Sequence, residues 1–154
     1  MQTDGRKETP TERADRNWNE LLQELRVMQT GTQILTGFLL TLPFQSRYAD
    51  LDDYQRTVYL VLVMTAVTAT ALILAPVSVH RALFQKQMKR SVVTIGDRIT
   101  RVALGVLALA VTGTALLVFD VVVGRTAGIV VGAFVLVLMI VLWVVLPAVL
   151  RRRG

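Results

Sequence analysis

Four long stretches without a charged side chain constrain this sequence more than any other feature: 27–46, 57–79, 102–119 and 126–150. Crossing the ~30 Å hydrocarbon core of a bilayer takes roughly 20 apolar residues in a helix, so each stretch has about the required length. An open strand in lipid would leave backbone N–H and C=O groups unpaired, which selects helices. The chain has 154 residues, 53% of them hydrophobic and 18% charged, too apolar for a soluble fold of this size to bury. The last three stretches stand on apolarity alone. The first carries Gln29, Thr30, Thr32, Gln33, Thr36 and Thr41 and needs a second argument.

The distribution of basic residues supplies it. With four spans, three segments share one side. The N-terminal segment brings Arg6, Lys7, Arg13, Arg16 and Arg26, and the 80–101 connection Arg81, Lys86, Lys89, Arg90, Arg98 and Arg101. The C-terminus adds Arg151, Arg152 and Arg153. Only Arg47, Arg56 and Arg125 of the 17 basic residues fall on the other side. The positive-inside rule then predicts a multi-pass protein of the plasma (inner) membrane with both termini cytoplasmic. A cleaved signal peptide fits the first stretch badly, because Asp4, Glu8, Glu12, Asp15, Glu20 and Glu24 precede it and no small-x-small site follows Phe44.

The predicted fold is all-α: a four-transmembrane-helix bundle with an N-terminal amphipathic helix and a cytoplasmic amphipathic connector. Residues 1–8 read as a disordered tail, 9–26 as the amphipathic helix running into span one, 27–150 as the membrane domain and 151–154 as a basic tail. Thr9-Pro10-Thr11-Glu12 is a capping box with proline at the first helical position. From there Trp18, Leu21, Leu22 and Leu25 recur on one helical face. In the connector, Phe84, Met88, Val92, Ile95 and Ile99 form an apolar stripe beneath a basic face, suited to an anionic inner leaflet. Trp18, Arg81, Lys86 and Arg90 are the expected interface anchors.

Inside the spans, Arg26, Gln29, Thr30, Gln33, Gly37 and Thr41 share one face of span one at 100° per residue. Amides and hydroxyls in hydrocarbon need partners, so this face is expected to point into the bundle, a wet cavity or another protomer. It reads either as a polar path or as a helix contact. Glu20, Glu24 and His80 are the candidate proton or ion sites, each with the plainer reading of a solvated or interfacial side chain. Against proton coupling, none of the four stretches holds Asp, Glu, Lys, Arg or His. Asp120 and Arg125 bracket the last turn, either as an ion pair across the hairpin or as an outer gate. Gly124, Gly128 and Gly132 form GxxxGxxxG, a helix-packing signature, and Thr65, Ala66, Ala69 and Thr70 offer a matching small surface on span two.

With no cysteine and one histidine, thiolate sites, zinc clusters and imidazole triads are excluded, and no glycine-rich phosphate loop is present. No catalytic residue, metal site or cofactor is expected, and the chain reads as a non-enzyme. Its pI near 10.5 reflects flanks of spans without interleaved aromatics, so nucleic acid is not an expected partner. The expected partners are the bilayer with its anionic inner leaflet and either a second copy of the chain or another membrane protein.

Three segments resemble a known family. They are Trp18-Asn19-Glu20-Leu21-Leu22-Gln23-Glu24-Leu25-Arg26-Val27 with Gln29-Thr30-Gly31, then Leu42-Pro43-Phe44-Gln45, then Ala75-Pro76-Val77-Ser78-Val79-His80-Arg81. Together they resemble an actinobacterial family of small four-span membrane proteins of unknown function, over roughly residues 16 to 125. Members of that family are sometimes labelled sodium:proton antiporters, a label that no carboxylate within the spans of this chain supports. The resemblance implies no catalytic residue and directs attention to the 18–31 segment and the His80-Arg81 corner. The expected function is a non-enzymatic interaction or accessory subunit that self-associates. The alternative is a small transporter or channel, cation- or proton-coupled, with a polar path along span one.

Overall fold

The computed structural model describes residues 9–83 and 89–153, with side chains at 10, 11, 14, 15, 79–83, 89–94 and 153 outside that description. Every regular element among the described residues is helical. Helix α1 (Pro10–Thr41) is followed by two 3₁₀ turns, Leu42–Phe44 and Ser46–Asp50. Helices α2 (Asp53–Leu83) and α3 (Lys89–Val122) come next. The last helical run is α4 (Arg125–Ile140), a π-helical turn (Val141–Val145) and α5 (Leu146–Arg153). Three of these segments are long and apolar enough to cross a membrane: Asp53–Ser78, Ile95–Val122 and Arg125–Arg152. Helix α1 has the length but carries too many amides and hydroxyls to match their apolarity.

Local chemistry explains the helix ends. At the start of α1, the Thr9 N–H donates to Glu12 Oε2 (2.8 Å) while the Glu12 N–H donates to Thr9 Oγ1 (3.3 Å), the reciprocal capping box. The Thr9 N–H and, secondly, the Thr9 hydroxyl (2.9 Å) both donate to the Glu12 carboxylate and hold it below its usual pKa. Pro43 follows the other end, where it lacks the N–H that would bond to the Leu39 carbonyl; the Leu42 N–H takes that carbonyl in a tighter turn and α1 passes into 3₁₀ turns. Pro147 lacks the N–H that would bond to the Trp143 carbonyl, and the π-helical turn lies just before it.

The stretch 89–101 is the first part of α3, continuous with the apolar segment, and is not a separate surface helix. Ile95 and Ile99 therefore belong to α3, while Phe84, Lys86 and Met88 lie outside the described residues.

Helix α3 is the centre of the bundle, with α2 and α4 packed along it and α1 lying against α2 and α3. The inward seam of α1 alternates steps of four and three residues: Leu21, Leu25 and Met28, then Thr32, Leu35 and Leu39. At one end Leu21 and Leu25 pack with Ile73 and Ala103, joined by Trp18. At the other, Leu39 packs with Tyr59, Leu62, Ala66 and Leu117, and the Tyr59 hydroxyl donates to the Leu39 carbonyl (3.0 Å). Small residues permit this close approach: Ala66, Ala69, Ala103 and Ala110 are fully buried. A Cβ at Gly96 would lie 3.0 Å from Leu21 Cδ2, and one at Gly113 would collide with Leu62.

Candidate functional site

The polar face read from the sequence lies on α1, and the fold turns it away from the chain's own interior. Arg26, Thr30, Gln33, Gly37 and Thr41 are exposed and Gln29 is half-buried. Inward positions go instead to the leucine and threonine seam, which fits the alanine surfaces of α2 and α3. Thr32, absent from the expected face, is 1% exposed and donates to the Met28 carbonyl (2.8 Å).

Hydrogen bonding divides the outward face further. Thr30 donates to the Arg26 carbonyl (3.1 Å) and Thr41 to the Phe38 carbonyl (2.7 Å), so these hydroxyls satisfy their donors on their own helix. The Gln29 and Gln33 amides have no such recourse. Among the described residues neither makes a hydrogen bond within the chain. Gly37 adds a smooth spot, since a Cβ there would meet nothing within 4 Å.

The acidic candidates are placed in the open. Glu20 is exposed and ion-paired to Arg16 (3.3 Å) as an i, i+4 pair, and Glu24 is exposed as well. The side chains of His80, Arg81 and Arg90 and the whole of Lys86 lie outside the described residues. Trp18 packs on the α1–α2–α3 junction beside Gly96.

The three packing glycines have two different roles. Gly124 takes φ +131°, which side-chain-bearing residues rarely adopt, and so forms the turn between α3 and α4. Gly128 and Gly132 are buried in the helix contact itself. A Cβ on Gly128 would stand 2.7 Å from the Leu116 carbonyl oxygen and 2.9 Å from the Asp120 nitrogen; one on Gly132 would stand 3.0 Å from Leu116 Cβ. Their partner is α3, whereas the small surface of α2 (Ala66, Ala69) is occupied by α1 and α3. Chain connectivity accounts for this: the two-residue turn delivers α4 onto α3.

Beside this contact is a cluster whose breadth exceeds the Asp120–Arg125 pair read from sequence. The Asp120 side chain is 2% exposed. Arg125 Nε donates to its Oδ1 (3.3 Å) and stands 3.0 Å from Oδ2 in ion-pair contact. A further Arg125 nitrogen donates to Asp52 Oδ2 (2.6 Å), and the guanidinium lies 3.7 Å above the Tyr54 ring. Gln55 Nε2 donates to Asp120 Oδ1 (3.3 Å), while Gln55 Oε1 accepts from the Asp52 N–H (3.1 Å) and the Gln55 N–H donates to Asp52 Oδ1 (2.7 Å). Asp52 and Gln55 thus form a capping box for α2 and, through Asp120 and Arg125, tie α2, α3 and α4 together. The Asp-x-x-Gln spacing at 52–55 was a readable helix-start signal. Its link to Asp120, 65 residues away, was not.

Buried charge has a stake here. Asp120 Oδ1 accepts from both Gln55 and Arg125 while the buried Oδ2 has the arginine ion-pair contact alone, so removing the arginine strands a charge in an apolar site. The arrangement is suited to holding three helix ends in register, with Asp120 enclosed and Arg125 half open to solvent.

No curated protein and no solved structure matches the chain. A family model matches residues 7–147, reaching further at both ends than the resemblance read from the sequence and taking in most of the last helical run. The chain belongs to the family of unknown function DUF6328.

Proposed function

We propose that this chain is a four-span integral membrane protein of the inner membrane, with both termini cytoplasmic. In this reading it is a non-enzymatic subunit that associates with another membrane helix, from a second copy or a different protein, through the outward face of α1. The supporting observation is how α1 lies. It runs beside α2 from Leu25 near Ile73 to Leu39 near Tyr59, about 21 Å at 1.5 Å per residue. If α2 crosses the bilayer, this length of α1 shares its depth. The outward amides of Gln29 and Gln33 then face hydrocarbon, where a polar group without a partner is costly. A neighbouring helix relieves that cost.

The interior of the bundle supports association over a conduit within one chain, because its buried seam is mostly leucine, isoleucine and alanine, and the buried Thr32 and Thr100 hydroxyls bond to carbonyls of their own helices. A path for solutes, if there is one, would run between protomers along the same α1 face.

Two experiments test this reading. The chain has no native cysteine, so single cysteines at Thr3 and Ser46 can be labelled in oriented vesicles. Labelling from opposite sides is expected, and labelling from the same side would remove span one. Gentle extraction followed by native mass spectrometry should then give a complex larger than one chain that dissociates in Gln33→Leu. A monomer in both proteins would overturn the association. Proteoliposome flux lost in Gln33→Leu would favour the transport reading.

A further inference from the structure

The α3–α4 pair is closed at its turn and open at its far end. Near the turn Gly128 and Gly132 touch α3. Towards the other end the helices frame a groove of about 350 Å³, lined by Gly105 and Ala108 from α3 and by Met139, Trp143 and Val144 from the last helical run, with Arg101 at its mouth. Trp143 and Val144 belong to the π-helical turn, a local rearrangement that recurs at functional sites. Gly105 gives the groove its depth, since a Cβ there would meet nothing within 4 Å.

The mouth is strongly basic. Arg98 lies one turn beyond Arg101 on α3, about 4.5 Å along the axis, and Arg151 and Arg152 follow Val144 by about 10 Å on the antiparallel helix. Against these stands Asp97, which pairs with Arg101 at the surface, a contact of small energetic weight between exposed groups. The groove walls are almost wholly apolar, and Trp143 is a residue type that favours the headgroup level.

We propose that this groove is a binding site for one anionic phospholipid. An acyl chain lies along Gly105, Ala108 and Met139, and the phosphate is held at the mouth by Arg101 with its neighbouring arginines. The proposal rests on the membrane reading above but not on the α1 association. Charge complementarity selects the occupant: a zwitterionic lipid offers the same chain but carries an ammonium into a cluster of guanidinium groups.

The test uses the full chain reconstituted in vesicles of equal parts phosphatidylglycerol and phosphatidylcholine, extracted gently and weighed by native mass spectrometry. Phosphatidylglycerol should be retained preferentially. Arg101→Gln should reduce that preference about fivefold, the worth of one basic residue near an anionic surface. Gly105→Leu, whose Cβ would meet nothing within 4 Å, fills the groove and should abolish retention of either lipid without lowering the temperature of thermal unfolding. Equal retention of the two lipids, or retention unchanged by Gly105→Leu, would overturn the site. A lipid-free dimer lost in Gly105→Leu would likewise overturn it, by assigning the groove to a second copy. Release of the protein from vesicles by alkaline carbonate without detergent would overturn the membrane reading itself. A protein that stays inserted without lipid preference overturns only the groove.

Discussion

At the turn end of the α3–α4 pair, Gly128 lies against the backbone of Leu116 and Asp120, and a buried aspartate with its arginine fastens the neighbouring helix ends. At the other end Gly105 looks into open space and the nearest charge, Arg101, sits at the rim. The same residue type thus serves opposite ends. Where a glycine faces backbone it draws helices together, and where it faces nothing it leaves room. Small residues mark interhelical geometry, but their meaning depends on what the opposing helix presents.

Removing the fastening should produce the largest change. Arg125→Met leaves the Asp120 carboxylate buried and unpaired, at an expected cost of about 3–5 kcal/mol in thermal or denaturant unfolding in detergent. Asp52→Asn, which disturbs only the exposed arm of the same arginine, should cost about 0–1 kcal/mol. Equal effects from both would mean that burial of Asp120 is not what gives the cluster its weight.

Gly128→Leu should cost about 1–3 kcal/mol or more, because even its Cβ would sit within 3 Å of α3 backbone atoms. Unchanged melting temperature together with unchanged oligomer mass would sink the close contact. The matched change at the open end, Gly105→Ala, should be neutral or stabilise by about 0.5–1 kcal/mol through helix propensity alone. A clear loss there would show that the far end is closed after all.

The smallest effect lies away from both ends. Glu12 has its pKa lowered by the hydrogen bonds from Thr9, so its carboxylate favours the capped helix above the ordinary value of 4.5. That contribution fades as pH falls through the lower, folded value. An amide-shift titration of Thr9 should follow this loss at acid pH, and Glu12→Gln should flatten it while leaving the bundle intact.

Much of the architecture was legible because it is local. The capping box at Thr9–Glu12 and the apolar runs behind α2, α3 and the last helix depend only on neighbours within a few residues. The polar stripe on α1 was equally readable as a stripe. Its direction was not, because helical periodicity shows which residues share a face and says nothing of which face is covered. Polarity left Gln33 facing the bundle, a wet cavity or another protomer; the fit of Leu25, Thr32 and Leu39 against alanine surfaces turned it away from the chain's own interior.

The sequence by itself determined the helices, their caps and the basic asymmetry of the flanks, since these arise from backbone hydrogen bonding and solvation of nearby residues. Only the tertiary structure decided that Gly128 meets α3 and not α2, that Asp52, Gln55, Asp120 and Arg125 form one cluster, and that Gly105 faces a groove. Those outcomes depend on shape and charge complementarity between segments distant in the chain, which only the packed bundle brings together.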